Sequence, residues 1–338
     1  MSSEALLKQN LLAMQLREVA LKDLLLVDSC QRDIFTFKEG IFFVVVSEGS
    51  KITKETIRDL VRQKVEAIFV HPEDYEVIKE SLKNELLRIT RSLSVGNPLQ
   101  NSRRQINLLA QNLSELYRNP LNDENLKLQY QCTVNLSKFL SEHKGLLPEL
   151  YSDLFNGNHH FTMSQPMMAS LLLVGFLQQF RLFHEKDIEM LFITSYLKDI
   201  GMSFIPEEKL DQKDLELHDK KIISRHADNS ISLLEGRTPL ARNHLNIIKN
   251  HHFLNKKIQA ALSGIKTDSS QNSLMGLETE MVAVMDVLVA MINDRPYRAG
   301  QPLFQSLELL SKVMADDYPS EFKALVNYLR YFFTKMSA

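Results

Sequence analysis

The sequence predicts a mainly helical protein, built as a small N-terminal α/β domain, a helical connector and a large helical bundle. Three observations carry this. Strand-like text is confined to residues 34–70, almost everything beyond Glu73 has helical periodicity, and after Leu146 the helical text becomes strongly apolar. The boundaries drawn on the 338 residues are 1–95, 96–145 and 146–338. A chain of that length suffices for more than one domain and a sizeable core.

Taken in order, the N-terminal stretch MSSEALLKQNLLAMQLREVALKD carries Glu4 and Glu18 and no long apolar core, so it does not read as a signal peptide. IFTF and GIFFVVVSEG are rich in aromatic and β-branched residues and punctuated by Gly40 and Gly49, which reads as strands. KITKETIRDLVRQKV follows as a helix with Ile52, Ile57, Leu60 and Val61 on one face, and EAIFV as a strand stopped at Pro72. Residues 100–144 are polar with spaced leucines and a break at Asn119-Pro120, hence the connector. From Leu146 the text is apolar and helical with short turns, interrupted by a polar loop at 267–273.

Composition excludes several classes. Lys+Arg 40 against Asp+Glu 42 gives a net charge of -2, without the basic excess of a nucleic-acid polymer binder. Cys30 and Cys132 stand far apart, which indicates a reducing compartment rather than a disulfide scaffold. No run approaches the roughly 18 apolar residues of a membrane span. These readings together predict a cytoplasmic protein with no membrane segment.

Four stretches bear on chemistry. In MVAVMDVLVAMINDRPYR, residues 281–298, Asp286 stands in a helix that is apolar on nearly every side. Such a helix is expected to be buried, and a buried carboxylate is protonated, paired or metal-bound; a core salt bridge or cap is the plainer alternative. In DIEMLFITSYLKDIGMSFIPEEKL, Gly201 fits a helix C-terminus, which sets Asp199 where a helix meets a loop closed by Pro206. ISRHADNSISLL carries His226, and NHLNIIKNHHFLNKK carries the doublet His251-His252. Neighbours on a helix point about 100° apart, so such a doublet converges on one ion best near a helix end. Each of these residues has an ordinary surface or core reading when taken alone. In sequence order, Asp199, His226, His251, His252 and Asp286 form a mixed imidazole and carboxylate set suited to iron, manganese, zinc or nickel more than calcium.

These stretches resemble the HD-GYP proteins, a bacterial branch of the HD metal-dependent phosphohydrolases, over residues 146–338. KDIGMSFIPEEKL is similar to the family's HDIGKIGIPDxIL, SRHADNSISLL to its H-P-x-x-G helix, NHH to its H-H-E, and AVMDVLVAMINDRPYR to A-x-x-D-x-x-x-A-L-x-x-x-R-P-Y-R. The last is the most specific, with Asp286, Ala290, Arg295, Pro296, Tyr297 and Arg298 all in place. The resemblance implies an HD-type helical bundle, a transition-metal centre with iron or manganese foremost, and cyclic di-GMP as the substrate of the active members. The N-terminal module also resembles small domains that precede HD-GYP domains in bacterial signalling proteins.

The departures bear on activity. Met163 stands at the family's first ligand histidine and Lys198 at the histidine of the H-D pair, Met202 replaces a lysine, Phe253 replaces the glutamate of H-H-E, and LNKKIQ at 254–259 replaces the D-G-x-G-Y-P loop. In the family one metal is held by the two missing histidines and both aspartates. The other is held by the H-D aspartate and three later histidines. By that resemblance Asp199, His226, His251 and His252 retain one site, while Asp199 and Asp286 are all that remains of the other. A Met thioether suits soft Cu(I), and a protonated Lys offers no lone pair and repels a cation. Lys198 is therefore expected to pair with Asp199 or Asp286 and stand in for an ion; His159 and His160, close to Met163, are the alternative substitute ligands.

Two-metal phosphodiesterases clamp the attacking and leaving oxygens between their ions, so one surviving site weakens catalysis. The expectation is a degenerate HD-GYP signalling protein with one ion rather than two, acting by binding a cyclic dinucleotide or other signalling proteins with little or no turnover. The alternative is a metal-dependent phosphodiesterase with an atypical centre, in which Asp199 is catalytic. In either case Arg295 and Arg298 are candidates for phosphate contact, with Arg295 alternatively pinning the turn at Pro296. A helical scaffold that kept the fold and lost every site is the third reading.

Overall fold

The computed structural model describes residues 12–336 apart from 66, 158, 181, 206, 215 and 264–275. Pro206 and the loop predicted at 267–273 thus lie outside the described residues. The chain divides into two compact units, Met1–Arg91 and Ser92–Ala338.

The first unit is built on a four-stranded antiparallel sheet in the order β1-β4-β2-β3, with β1 Arg17–Val19, β2 Ile34–Lys38, β3 Ile41–Val46 and β4 Ile68–Val70. β2 and β3 form a hairpin whose two turn residues, Glu39 and Gly40, both have positive φ, as the tightest right-twisted hairpin turn requires. The glycine there costs nothing, whereas Glu39 accepts a conformation that most side chains avoid. Ile34, Ile68, Val70 and Leu24 close the core against helix α1, Lys54–Arg62, and helix α2, Pro72–Arg91. Thr53 caps α1 reciprocally with Thr56: its hydroxyl accepts from the Thr56 amide at 3.2 Å, and its own amide donates to the Thr56 hydroxyl at 3.1 Å. Ile52 and Leu60 are buried as the periodicity predicts, but Val61, about 100° round the helix from Leu60, is 59% exposed. Asp74 in the first turn of α2 is buried and accepts from the amides of Gln31 and Arg32 at 2.7 and 3.1 Å.

The second unit is helical. It begins with α3 Pro98–Arg118 and α4 Asp123–Glu142, capped by Asn97 and Asn122, whose side chains accept from Gln100 and Asn125 amides. The stretch expected as a connector therefore contributes two helices to the packed unit. Its polar residues are used inside: Gln129 is fully buried, donates to the Leu109 carbonyl at 3.1 Å and to Tyr196 Oη at 2.8 Å, and accepts from Asn112 at 2.7 Å. Helices α5 Leu147–Phe155, α6 Phe161–Leu177 and α7 Glu185–Leu197 follow, and a 3₁₀ turn, Ile200–Phe204, leads into the short α8 Glu207–Leu210. Then come α9 Leu217–Ile223, α10 His226–Leu234, α11 Arg242–Asn250, α12 Phe253–Leu262, α13 Leu277–Ile292, α14 Leu303–Met314 and α15 Pro319–Met336. The architecture is mainly helical with one small antiparallel sheet, as the sequence predicts. Helix α6, apolar on every face, packs most extensively against α7 and α13. Gly175 lets α15 approach: a Cβ there would stand 2.2 Å from Tyr328 Oη. Among the described residues, no helix is long and apolar enough to cross a membrane.

The two units meet along the chain at residues 92–97, where Gly96 has positive φ and Val95 is 70% exposed. The Asn101 amide ties this segment down, donating to the carbonyls of Ser92 at 2.9 Å and Val95 at 2.7 Å. Limited proteolysis is expected to cut first within 92–97, and faster in Asn101→Ala, while α3 and α4 survive with the C-terminal fragment. A first cut inside α3 or α4 would contradict the packing of those helices into the second unit.

Candidate metal centre

The centre is assembled from four helix ends and one helix middle. Lys198 and Asp199 follow the last residue of α7, and His226 opens α10. His251 and His252 occupy the turn between α11 and α12, where adjacent side chains can converge, and Asp286 projects from the middle of α13. All five predicted metal ligands are brought together. Asp199, His226, His251 and His252 each offer a donor atom lying within 4.8 Å of the others. Asp286 Oδ2 stands 3.8 Å from His252 Nδ1.

Two backbone carbonyls set the imidazole orientations. His226 Nδ1–H donates to Ile223 O at 2.5 Å and His251 Nδ1–H to Ile248 O at 2.6 Å. With that assignment of tautomers, both Nε2 atoms carry lone pairs. Those lone pairs face each other at 3.3 Å, and each faces Asp199 Oδ1, at 3.4 and 3.2 Å. Three acceptors aimed at one point in a buried place repel unless a cation or a proton lies among them. The donor set therefore fits a metal ion of the imidazole-favouring kind, oriented by outer hydrogen bonds as metal-ligating histidines usually are. His252 Nε2 completes the group 2.9 Å from His226 Nε2, while Asn255 lies 3.1 Å from its Nδ1.

Lys198 changes the charge of the centre. It is 1% exposed, and its ammonium bridges both carboxylates: it donates to Asp199 Oδ2 and lies 2.8 Å from Asp286 Oδ1. Burial opposes charge on Lys198, and the two carboxylates outweigh it, so its pKa is raised. Burial likewise works against ionisation of both aspartates. For Asp199 the ammonium prevails, holding it well below the usual carboxylate range; for Asp286 the ammonium is the chief opposing influence. His226 is raised, the Asp199 hydrogen bond overcoming burial, and His252 is lowered to about 4 by burial and by its neighbour His251. Two carboxylates and one ammonium leave a single negative charge beside the imidazoles.

The Lys198–Gly201 strap is fixed from two helices. Ser230 of α10 donates to the Lys198 carbonyl at 2.7 Å and accepts from the Gly201 amide at 2.8 Å. Gly201 does not end a helix in the left-handed conformation, as its position suggested. It is needed because a Cβ would stand 2.2 Å from the His226 carbonyl, so the strap lies directly on the ligand-bearing helix. From α3, Tyr117 Oη donates to the Asp199 carbonyl at 3.0 Å. Neither Ser230 nor Tyr117 carries a sequence signal for this role; Tyr117 stands 82 residues from its partner.

A cavity of about 460 Å³ opens beside the centre, lined by Asp199, His226, His252 and Asp286 together with Phe161 and Arg295. Arg295 lies over the Phe161 ring and donates to Gln165 at 2.9 Å and to Tyr297 Oη at 3.0 Å. It also pins its turn by backbone bonds with Arg298, the alternative role read for it from the sequence. Arg298 is not among the residues lining this cavity. Its guanidinium donates to the Ala290 carbonyl of α13, which separates it from Arg295. Met163 is buried on α6. His159 and His160 do not substitute for it: His159 bonds to Asn107 at 2.8 Å and His160 to Asp211 at 2.8 Å, because His160 caps the start of α6 and His159 precedes it, so neither lies within the helix.

Removing the ammonium tests this balance. Lys198→Met should cost metal-free protein about 3–5 kcal/mol, the usual penalty for leaving a buried charge unpaired, measured by chemical denaturation in chelator. A loss below about 1 kcal/mol would show that Asp199 and Asp286 do not depend on Lys198.

No family model matches the chain, and no curated protein matches it. Among solved structures it is similar to Bd1817, described as a HDG"Y"P protein, from Bdellovibrio bacteriovorus. The TM-score is 0.64 at 14% identity, with 93% of this chain and 99% of that chain covered. At that identity the likeness establishes the fold, and the chain has an HD-GYP-like fold carrying a partly buried His/Asp cluster.

Proposed function

We propose that this protein is a signalling protein of the degenerate HD-GYP kind, which holds one transition-metal ion and binds a cyclic dinucleotide or a protein partner with little or no turnover. One observation carries the reading: the Lys198 ammonium bridges Asp199 and Asp286, the two carboxylates that a second ion would share by the family resemblance. A lysine cannot give up its place to a cation without leaving its own charge unpaired, so the ammonium is a resident substitute. Asp199, His226, His251 and His252 would hold the single ion, with iron or manganese expected. When bound, such an ion supplies Lewis acidity toward an anionic oxygen. Asp286 would serve as the counter-charge of Lys198, and Arg295 as the cation that meets a phosphate at the cavity wall.

The runner-up is a phosphodiesterase acting on cyclic di-GMP or another phosphoester through this atypical centre, with Asp199 catalytic. The cavity beside the cluster favours it, since three of the four residues that would hold the ion, Asp199, His226 and His252, line that space.

Elemental analysis should find one ion per chain, lost in Asp199→Ala and in His252→Ala. Wild-type protein should hydrolyse cyclic di-GMP no faster than the same protein in chelator. The double variant Met163→His with Lys198→His should raise occupancy toward two ions, since neutral imidazoles replace a soft donor and a repelling charge. Each single change should do much less. Rapid wild-type turnover that disappears in Asp199→Ala would establish the phosphodiesterase instead.

A further inference from the structure

Helix α3 runs from residue 98, just past the segment that links the two units along the chain, and ends at Arg118. Its last turn carries Tyr117, whose hydroxyl donates to the main-chain carbonyl of Asp199. That carbonyl also accepts the first hydrogen bond of the 200–204 turn, from the Met202 amide at 2.9 Å. The bond falls on a residue with three partners in the cluster: Asp199 meets Lys198 through Oδ2 and both His226 and His251 through Oδ1. A peptide plane that rotates moves the side chain attached to it. Ser230 grips Lys198 and Gly201 from α10, and Tyr117 grips Asp199 between them from α3.

We infer that Tyr117 is a positioning residue for the metal centre, coupling α3 to Asp199 so that a shift of α3 changes how tightly the cluster holds a cation. The inference rests on the metal-binding reading above. It gives the helix nearest in sequence to the N-terminal unit a direct bond to the centre. Two structural facts make the coupling stiff. Asn112 of the same helix locks α3 to α4 through Gln129. The strap cannot recoil toward α10, because Gly201 already lies against the His226 carbonyl.

The test uses the full chain, Co2+ alone as the probe, and Tyr117→Phe, which removes only the hydroxyl. Loss of an outer hydrogen bond to a ligand-bearing group typically weakens metal affinity by about 10-fold, and that is the expected rise in Kd, with a changed Co2+ visible absorption spectrum. Metal-free Tyr117→Phe should unfold like wild type, and Tyr331→Phe, on an exposed tyrosine, should leave both Kd and spectrum unchanged. Coupling is reciprocal, so Co2+ should slow amide hydrogen exchange at residues 116–119 of wild-type protein. This measurement decides the matter even if the variant does not fold. Co2+ affinity and spectrum equal in wild type and Tyr117→Phe, or exchange at 116–119 indifferent to Co2+, would overturn the inference alone. Wild-type protein that takes up no Co2+ would overturn the metal reading and the inference with it.

Discussion

The buried ammonium of Lys198 is the interaction on which the rest of the centre depends. It lies between Asp199 at the end of α7 and Asp286 in the middle of α13, two helices that both pack on the apolar α6. Two carboxylates this deep repel each other and lose hydration. Either would protonate or force the helices apart without a cation between them. A lysine supplies that cation permanently, carried on the chain rather than captured from solution. The pairing explains how α13 tolerates an aspartate among Val282, Val284, Met285 and Leu288, all fully buried.

A fixed ammonium also limits what the centre can do. It holds Asp199 Oδ2 and leaves Oδ1 to face the histidines. The carboxylate is thus divided, one oxygen neutralised internally and the other available to a cation. The imidazoles are oriented toward that second oxygen by the Ile223 and Ile248 carbonyls. These bonds come from the last turns of α9 and α11, so the histidines are aimed by the helices that precede them. One oxygen of Asp199 is satisfied by the ammonium and the other faces the imidazoles, which supports the proposed single-ion reading.

The helices expected to be a spacer prove integral to this arrangement. Residues 96–145 are polar with spaced leucines, which reads in sequence as a helical connector. In the folded unit Gln105, Gln129, Ser102 and Thr133 are fully buried, and Gln129 is satisfied by Leu109, Tyr196 and Asn112. Polar side chains with internal partners are indistinguishable in sequence from polar side chains in water. For the same reason Tyr117 was invisible: a hydroxyl bonded to a backbone carbonyl leaves no pattern at either end. β1 was missed too, since its text, Arg17-Glu18-Val19, carries two exposed charged residues and buries only Val19.

By itself the sequence determined the order of architecture, because periodicity is a local property. Alternating aromatic and β-branched residues can only half-bury as strands, and the all-round apolar runs of α6 and α13 can only be core helices. It also determined the inventory of the centre, since the identities and spacing of Asp199, His226, His251, His252 and Asp286 place them at helix ends and on a buried helix. What the tertiary structure alone decided is which atoms face which. It chose both carboxylates for Lys198, turned Arg295 to the cavity wall and Arg298 to the Ala290 carbonyl, and kept His159 and His160 out of the cluster. Those choices depend on directions and distances between residues far apart in the chain, and a one-dimensional order of side chains does not contain them.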